Sequence, residues 1–189
     1  MRTSKWLTFA ALALGLATLF ACERKDDGYR SSGSKNRSTE PRGMSGTSWL
    51  QQAAEANLAE IDAGRLAGSK STNNDVKQFG LHMVEDHSKA NIDLTELAVK
   101  KGITLPTRPD EKHTKAAADL ADLSGAEFDK KYADMMVADH EQAVGLFEAN
   151  GNSSDADVKA FADKTLPTLK HHLQMARDLK GKVGTPKAD

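Results

Sequence analysis

The chain has 189 residues, enough for one domain with a core of its own. With 26 basic and 27 acidic residues the net charge is -1, so no whole-chain field attracts nucleic acid and none is expected as a partner. A single cysteine excludes an internal disulfide framework and a cysteine-built zinc site, and 5% aromatic residues with few β-branched runs argue against a sandwich or barrel.

Residues 1–21 read as a signal peptide. Arg2 and Lys5 precede an apolar run from Trp6 to Phe20, and Ala21 stands before Cys22. The run is short for a membrane span; a retained anchor helix is the alternative. Leu19-Phe20-Ala21-Cys22 resembles a bacterial lipobox, whose cysteine is lipidated and becomes the mature N-terminus, although Phe20 is bulkier than the usual residue there. That resemblance implies attachment to a membrane through a lipid anchor on Cys22. Glu23 follows, not the aspartate that often retains a lipoprotein at the inner membrane, so the expected address is the outer membrane, facing the periplasm. Residues 22–47 mix charges with serine and glycine and offer almost nothing to bury, as a flexible tether does. They are slightly basic, whereas residues 48–189 are mildly acidic.

From Ser48 the pattern is helical: alanine is abundant, no proline occurs before Pro106, and apolar residues recur at three and four. The first main helix is expected over 48–69. Asn73 or Asn74 caps the second, which stops at Gly102. Pro106 and Pro109 break the chain ahead of a short connecting helix over 110–120. Ser124, with Glu127 three residues on, forms a capping box for the third main helix, which ends near Gly151. Ser154 or Asp155 caps the fourth, which runs to about Gly181 and contains Pro167, expected to kink it. Residues 183–189 are left as a tail. The openings Asp75-Val76-Lys77-Gln78-Phe79-Gly80 and Asp157-Val158-Lys159-Ala160-Phe161-Ala162 echo each other, so two similar helical hairpins are joined by a long crossover.

The stretches NLAEIDAGRLA, VKQFGLHMVEDHSKAN, LAVKKGITLP, LSGAEFDKKY, VADHEQAV and KTLPTLKHHL, in that order, resemble the bacterial envelope family catalogued as domain of unknown function 4142. The resemblance covers 48 to about 180. It implies an all-α, ferritin-like four-helix bundle with a short connecting helix between its second and third main helices. It implies an envelope location, and it brings no activity.

Helical spacing then decides which polar residues face inward. The second helix carries the seam Val76, Gly80, Met83, His87, Ala90, Leu94, Leu97; the third carries Tyr132, Met136, His140, Ala143, Phe147. In the fourth, Val158, Ala162, Thr165, Leu169, His172, Ala176 and Leu179 put His172 inside and His171 outside. Glu60 interrupts the small-residue face Ala53, Ala56, Ala63, Ala67 of the first helix. His82 and His113 lie off the seams and read as solvated. Counted along the helices at about 1.5 Å per residue, Glu60, His87 and His140 fall within roughly 5 Å of one level, whereas His172 comes out about 10 Å off unless Pro167 corrects it.

Met83 and His87, like Met136 and His140, are four apart and share a helical face. Imidazole with thioether favours copper, particularly Cu(I), so the expected cofactor is a copper or other transition-metal ion. A di-iron site needs Glu-x-x-His from two helices, and none of the four main helices carries that spacing. The expected metal-binding set is thus Glu60, His87, His140, Met83 and Met136, with His172 as a further contributor. The alternative is a structural or interaction module in which methionines fill the core and histidines hydrogen-bond within it. No phosphate loop, zinc-protease motif or nucleophilic cysteine argues for an enzyme.

Overall fold

Capping chemistry sets the helix boundaries. A computed structural model describes residues 46–184, all within the unit Glu40–Asp189. It contains α1 (Gly46–Lys70), α2 (Asn74–Lys101), α3 (Glu111–Ala121), α4 (Gly125–Asn150) and α5 (Ala156–Gly184). Cys22 and nearly all of the tether lie outside the described residues.

At the start of α2 the Asn73 side chain accepts the Asp75 N–H, and at its end Gly102, at φ 66°, sends its N–H back to the carbonyls of Ala98 and Val99. Asp110 accepts the His113 N–H to open α3. Asp155, not Ser154, caps α5 by accepting the N–H groups of Asp157 and Val158.

Two local expectations change. Ser124 occupies the N-cap of α4 but makes no side-chain cap bond, so the capping box with Glu127 does not form. The chain turns into α4 through Gly125 at φ 57°, and the first turn is held by the Ser71 hydroxyl donating to the buried Asp129 carboxylate at 2.6 Å. Pro167 lies inside α5 and supplies no N–H to the Asp163 carbonyl, and the helix ends at Gly184, three residues past the expected end.

The architecture is the ferritin-like four-helix bundle. α1 packs along α2 and α4 along α5, while the α1–α4 and α2–α5 seams are sparser. Ion pairs from Asp75 to Lys182, Asp93 to Lys164 and Lys100 to Asp157 run antiparallel along α2 and α5. The ring pairs Phe79–Tyr132 and His87–His140 keep one sequence offset, so α2 and α4 run parallel and need the long crossover through α3. The Lys70 ammonium donates to the Ala121 carbonyl at the end of α3.

α1 and α2 meet backbone to backbone at Gly64 and Gly80. A Cβ on Gly80 would lie 2.7 Å from the Gly64 carbonyl oxygen and 2.9 Å from the Ala67 Cβ, so both positions require glycine.

Two apolar clusters fill the bundle. One gathers Phe79, Met83, Leu120, Phe128, Tyr132 and Met136 with the alanines of α1 and α5. The other gathers Trp49, Leu50, Leu94, Phe147, Phe161 and Leu169, with Trp49 edge-on to Phe147 at 5.3 Å. Each fully buried large side chain contributes on the order of 1.5–3 kcal/mol. Between the clusters lies a layer of buried polar side chains.

Candidate metal centre

Each main helix supplies this layer. α1 brings Asn57 and Glu60, α2 His87, α4 His140 and α5 His172, all buried. The imidazole centroids form a near-equilateral triangle, 5.6 Å from His87 to His140, 5.3 Å from His87 to His172 and 5.5 Å from His140 to His172. One nitrogen from each ring lies within 4.8 Å of the other two.

His172 is therefore a full member of the group, against the axial count that set it apart. Asn150 lies ten residues beyond His140, and Ala156 sixteen before His172. With the rings level, the loop over 151–155 climbs about 9 Å along the axis instead of turning over at one height.

Hydrogen bonds fix the three tautomers. His87 donates its Nδ1–H to Asn57 Oδ1 at 2.7 Å. His140 donates Nδ1–H to the Met136 carbonyl at 2.8 Å. His172 donates Nε2–H to Asp86 Oδ2 at 3.0 Å. The amide oxygen, carbonyl and carboxylate can only accept, so each opposite ring nitrogen keeps a lone pair. Those nitrogens, His87 Nε2, His140 Nε2 and His172 Nδ1, are buried and have no hydrogen-bond partner. Leaving a buried polar atom unpaired costs about 1–3 kcal/mol, so three on facing rings need a reason.

Electrostatics keep these rings neutral. Burial pushes His87 well below the usual imidazole range, helped by the neighbouring His140 and His172. Burial also lowers His140 to about 4, against the opposing bond to Met136. His172 is lowered by burial while Asp86 pulls it back up. Glu60 is pushed the other way, well above the usual carboxylate range, by burial and then by Asp139. Its Oε1 lies 3.7 Å from His140 Nδ1, and its Oε2 is unpaired. Burial thus favours the neutral imidazole on all three rings and the protonated carboxyl on Glu60.

The cavity they line measures ≈ 40 Å³, room for an ion or a water or two and too small for an organic substrate. Its remaining walls are mostly apolar, with Asp86 and Asp139 at its sides. Three imidazoles suit zinc, copper, iron or nickel. Tetrahedral coordination at about 2.0–2.1 Å needs nitrogens about 3.3 Å apart, so with nitrogens within 4.8 Å of one another the rings would close by at most about 1.5 Å on an ion.

Met83 and Met136 do not line this cavity and sit in the apolar cluster below it. Four residues carry a side chain one full turn along the helix, about 6 Å, so sharing a face with the histidines sends both thioethers into the Phe79 and Tyr132 layer. The copper(I) preference argued from thioether ligands loses its basis. His171 and His82 are exposed, and His113 is half-buried with Nδ1 2.7 Å from Asp110. Sequence spacing passed over Asn57 and Asp86. The signal for Asp86 was present: the doublets Asp86-His87 and Asp139-His140 repeat on two helices, and all four residues line the cavity.

An all-helical bundle with a buried three-histidine centre is the class that fold and site define. The chain belongs to the family described as domain of unknown function (DUF4142), whose model matches residues 32–179, beginning inside the stretch read as tether. Among solved structures it is similar to a DUF305 fragment from Deinococcus radiodurans, at 14% identity over 74% of this chain and 95% of that one, TM-score 0.64. It is also similar to a DUF305 protein from Streptomyces coelicolor described as secreted, at 9% identity over 76% of this chain and 97% of that one, TM-score 0.62. Such identities bear on fold alone. No curated protein matches the sequence.

Proposed function

We propose that the chain binds one first-row transition-metal ion through His87 Nε2, His140 Nε2 and His172 Nδ1, with Glu60 beside the ion. The observation that carries this reading is the set of three buried lone pairs on facing rings, each ring already turned by an outer hydrogen bond. Metal-binding histidines characteristically donate their other N–H to a carboxylate, backbone carbonyl or water, as His172 and His140 do to Asp86 and the Met136 carbonyl. Neutral imidazoles need lose no proton to bind, which removes one cost of binding. A domain with this centre serves metal storage or buffering.

The location proposed for this role is the outer membrane, with the domain facing the periplasm on a lipidated Cys22 and its tether. The signal and lipobox patterns support that placement. Among the described residues, no helix is long and apolar enough to cross a membrane.

Elemental analysis of the purified full chain after zinc or copper loading tests the metal reading. One ion per chain is expected, with loss in His140→Ala and retention in His171→Ala. Equal uptake by all three proteins leaves the histidines as a structural cluster in the core.

A further inference from the structure

The three ligand histidines differ in where their outer partners sit. Asn57 and the Met136 carbonyl, which hold His87 and His140, are inside the bundle. Asp86, which holds His172, has a side chain 37% exposed, whereas the His172 side chain is only 2% exposed. Asp86 thus reaches from the surface to a buried ligand.

The seam around it is open. A surface groove between α2 and α5 shares Asp86, Ala90, Thr165 and Thr168 with the walls of the buried cavity. The larger groove between α1 and the 104–117 segment shares no wall residue with the cavity. Ala90 and Thr165 are half-buried and Thr168 is exposed, so these three small side chains and Asp86 separate the two spaces.

Charge along the groove does not oppose a cation. Lys89 is held by Glu85 at 2.7 Å and lies 3.7 Å from Asp86, while Lys164 is held by Asp93 at 2.7 Å. In the groove wall Asp86 and Asp93 match Lys89 and Lys164, and Glu85 beside Lys89 tips the local balance negative.

We infer that the α2–α5 seam at Asp86, Ala90, Thr165 and Thr168 is the loading port of the histidine centre for a divalent transition-metal ion. This rests on the metal-binding reading above. Asp86 is a positioning residue: its carboxylate draws the hydrated ion to the groove and, through Nε2–H, keeps the His172 ring at the inner mouth.

The test follows zinc exchange by stopped flow, mixing the full chain with Zn(II) and then with a chromophoric chelator. Ala90→Leu fills the port from within, and Thr168→Trp covers it from an exposed position that does not threaten folding. Each should slow association and release together, by about tenfold or more, with Kd changed by no more than about threefold, because a barrier acts on rates and not on the equilibrium. Thr107→Trp, exposed in the groove between α1 and the 104–117 segment, should leave both rates within about twofold of the parent. Asp86→Asn keeps an acceptor for His172 and loses the charge, so its association should be slower and should no longer fall as salt is added. If Zn(II) binds and the plugged variants exchange at the parental rate, or if Asp86→Asn keeps the parental salt dependence, the port is elsewhere and the metal site stands. If the parent takes up no Zn(II), the metal-binding reading itself fails and the port with it.

Discussion

His87 donates Nδ1–H to Asn57 Oδ1 across 2.7 Å, from α2 to α1, and this one bond decides which imidazole nitrogen faces the cavity. Asn57→Leu removes the acceptor and leaves a buried N–H unpaired, for an expected loss of about 1–3 kcal/mol in denaturant unfolding. Asn57→Asp restores an acceptor and should keep the Nδ1–H tautomer in nitrogen NMR of the imidazole. Asn57→Leu at parental stability would remove the bond from the account.

The buried titrating groups set opposing pH slopes on apo stability. His87, His140 and His172 have folded pKa values below the unfolded value near 6.5, so the unfolded state binds more protons as pH falls. Their contribution is full above about 6.5 and is lost on acidification, for His140 down to about 4. Glu60 is raised, so it favours the fold at low pH and loses its contribution as pH rises above the ordinary carboxylate range. Three histidines outweigh Glu60 as pH falls below about 6.5, so apo stability should drop on acidification, and Glu60→Gln, which takes away the opposing slope, should steepen that drop. A parental acid limb in that variant would show that Glu60 does not oppose the histidines.

Glycine substitutions separate close approach from helix propensity. Gly80→Ala forces a methyl against the Gly64 carbonyl and Ala67, with an expected cost of about 1–3 kcal/mol. Gly145→Ala meets nothing within 4 Å in the interior of α4 and should gain about 0.5–1 kcal/mol. Thermal midpoints of the two variants should move in opposite directions.

Helical spacing revealed the seams, and with them the inward aim of Glu60, His87, His140 and His172, because burial repeats with the helix. It did not reveal their levels. The height of His172 depends on how far the 151–155 loop climbs, and no periodicity carries that distance. Nor could spacing tell a ligand from core filling: Met83 and Met136 obey the same seam as the histidines and end a turn away. Asn57 and Asp86 stayed hidden because a hydrogen-bond partner is chosen by neighbouring helices, not by its own. The Ser124 capping box failed for a similar reason, since Gly125 redirects the chain before the hydroxyl can cap.

The N-terminal reading has its own test. Cys22→Ser should release the protein into the soluble envelope fraction or block its processing, because no other cysteine is present to carry a lipid. A variant that fractionates and migrates as the parent does would exclude the lipobox.

Three imidazole lone pairs converge on the place proposed for the metal ion, and anomalous diffraction from crystals of the zinc-loaded protein would locate that ion. One strong peak is expected at about 2.0–2.1 Å from His87 Nε2, His140 Nε2 and His172 Nδ1, with the rings drawn together by at most about 1.5 Å. A zinc peak at surface carboxylates with the three-histidine cavity left without one would contradict the proposal.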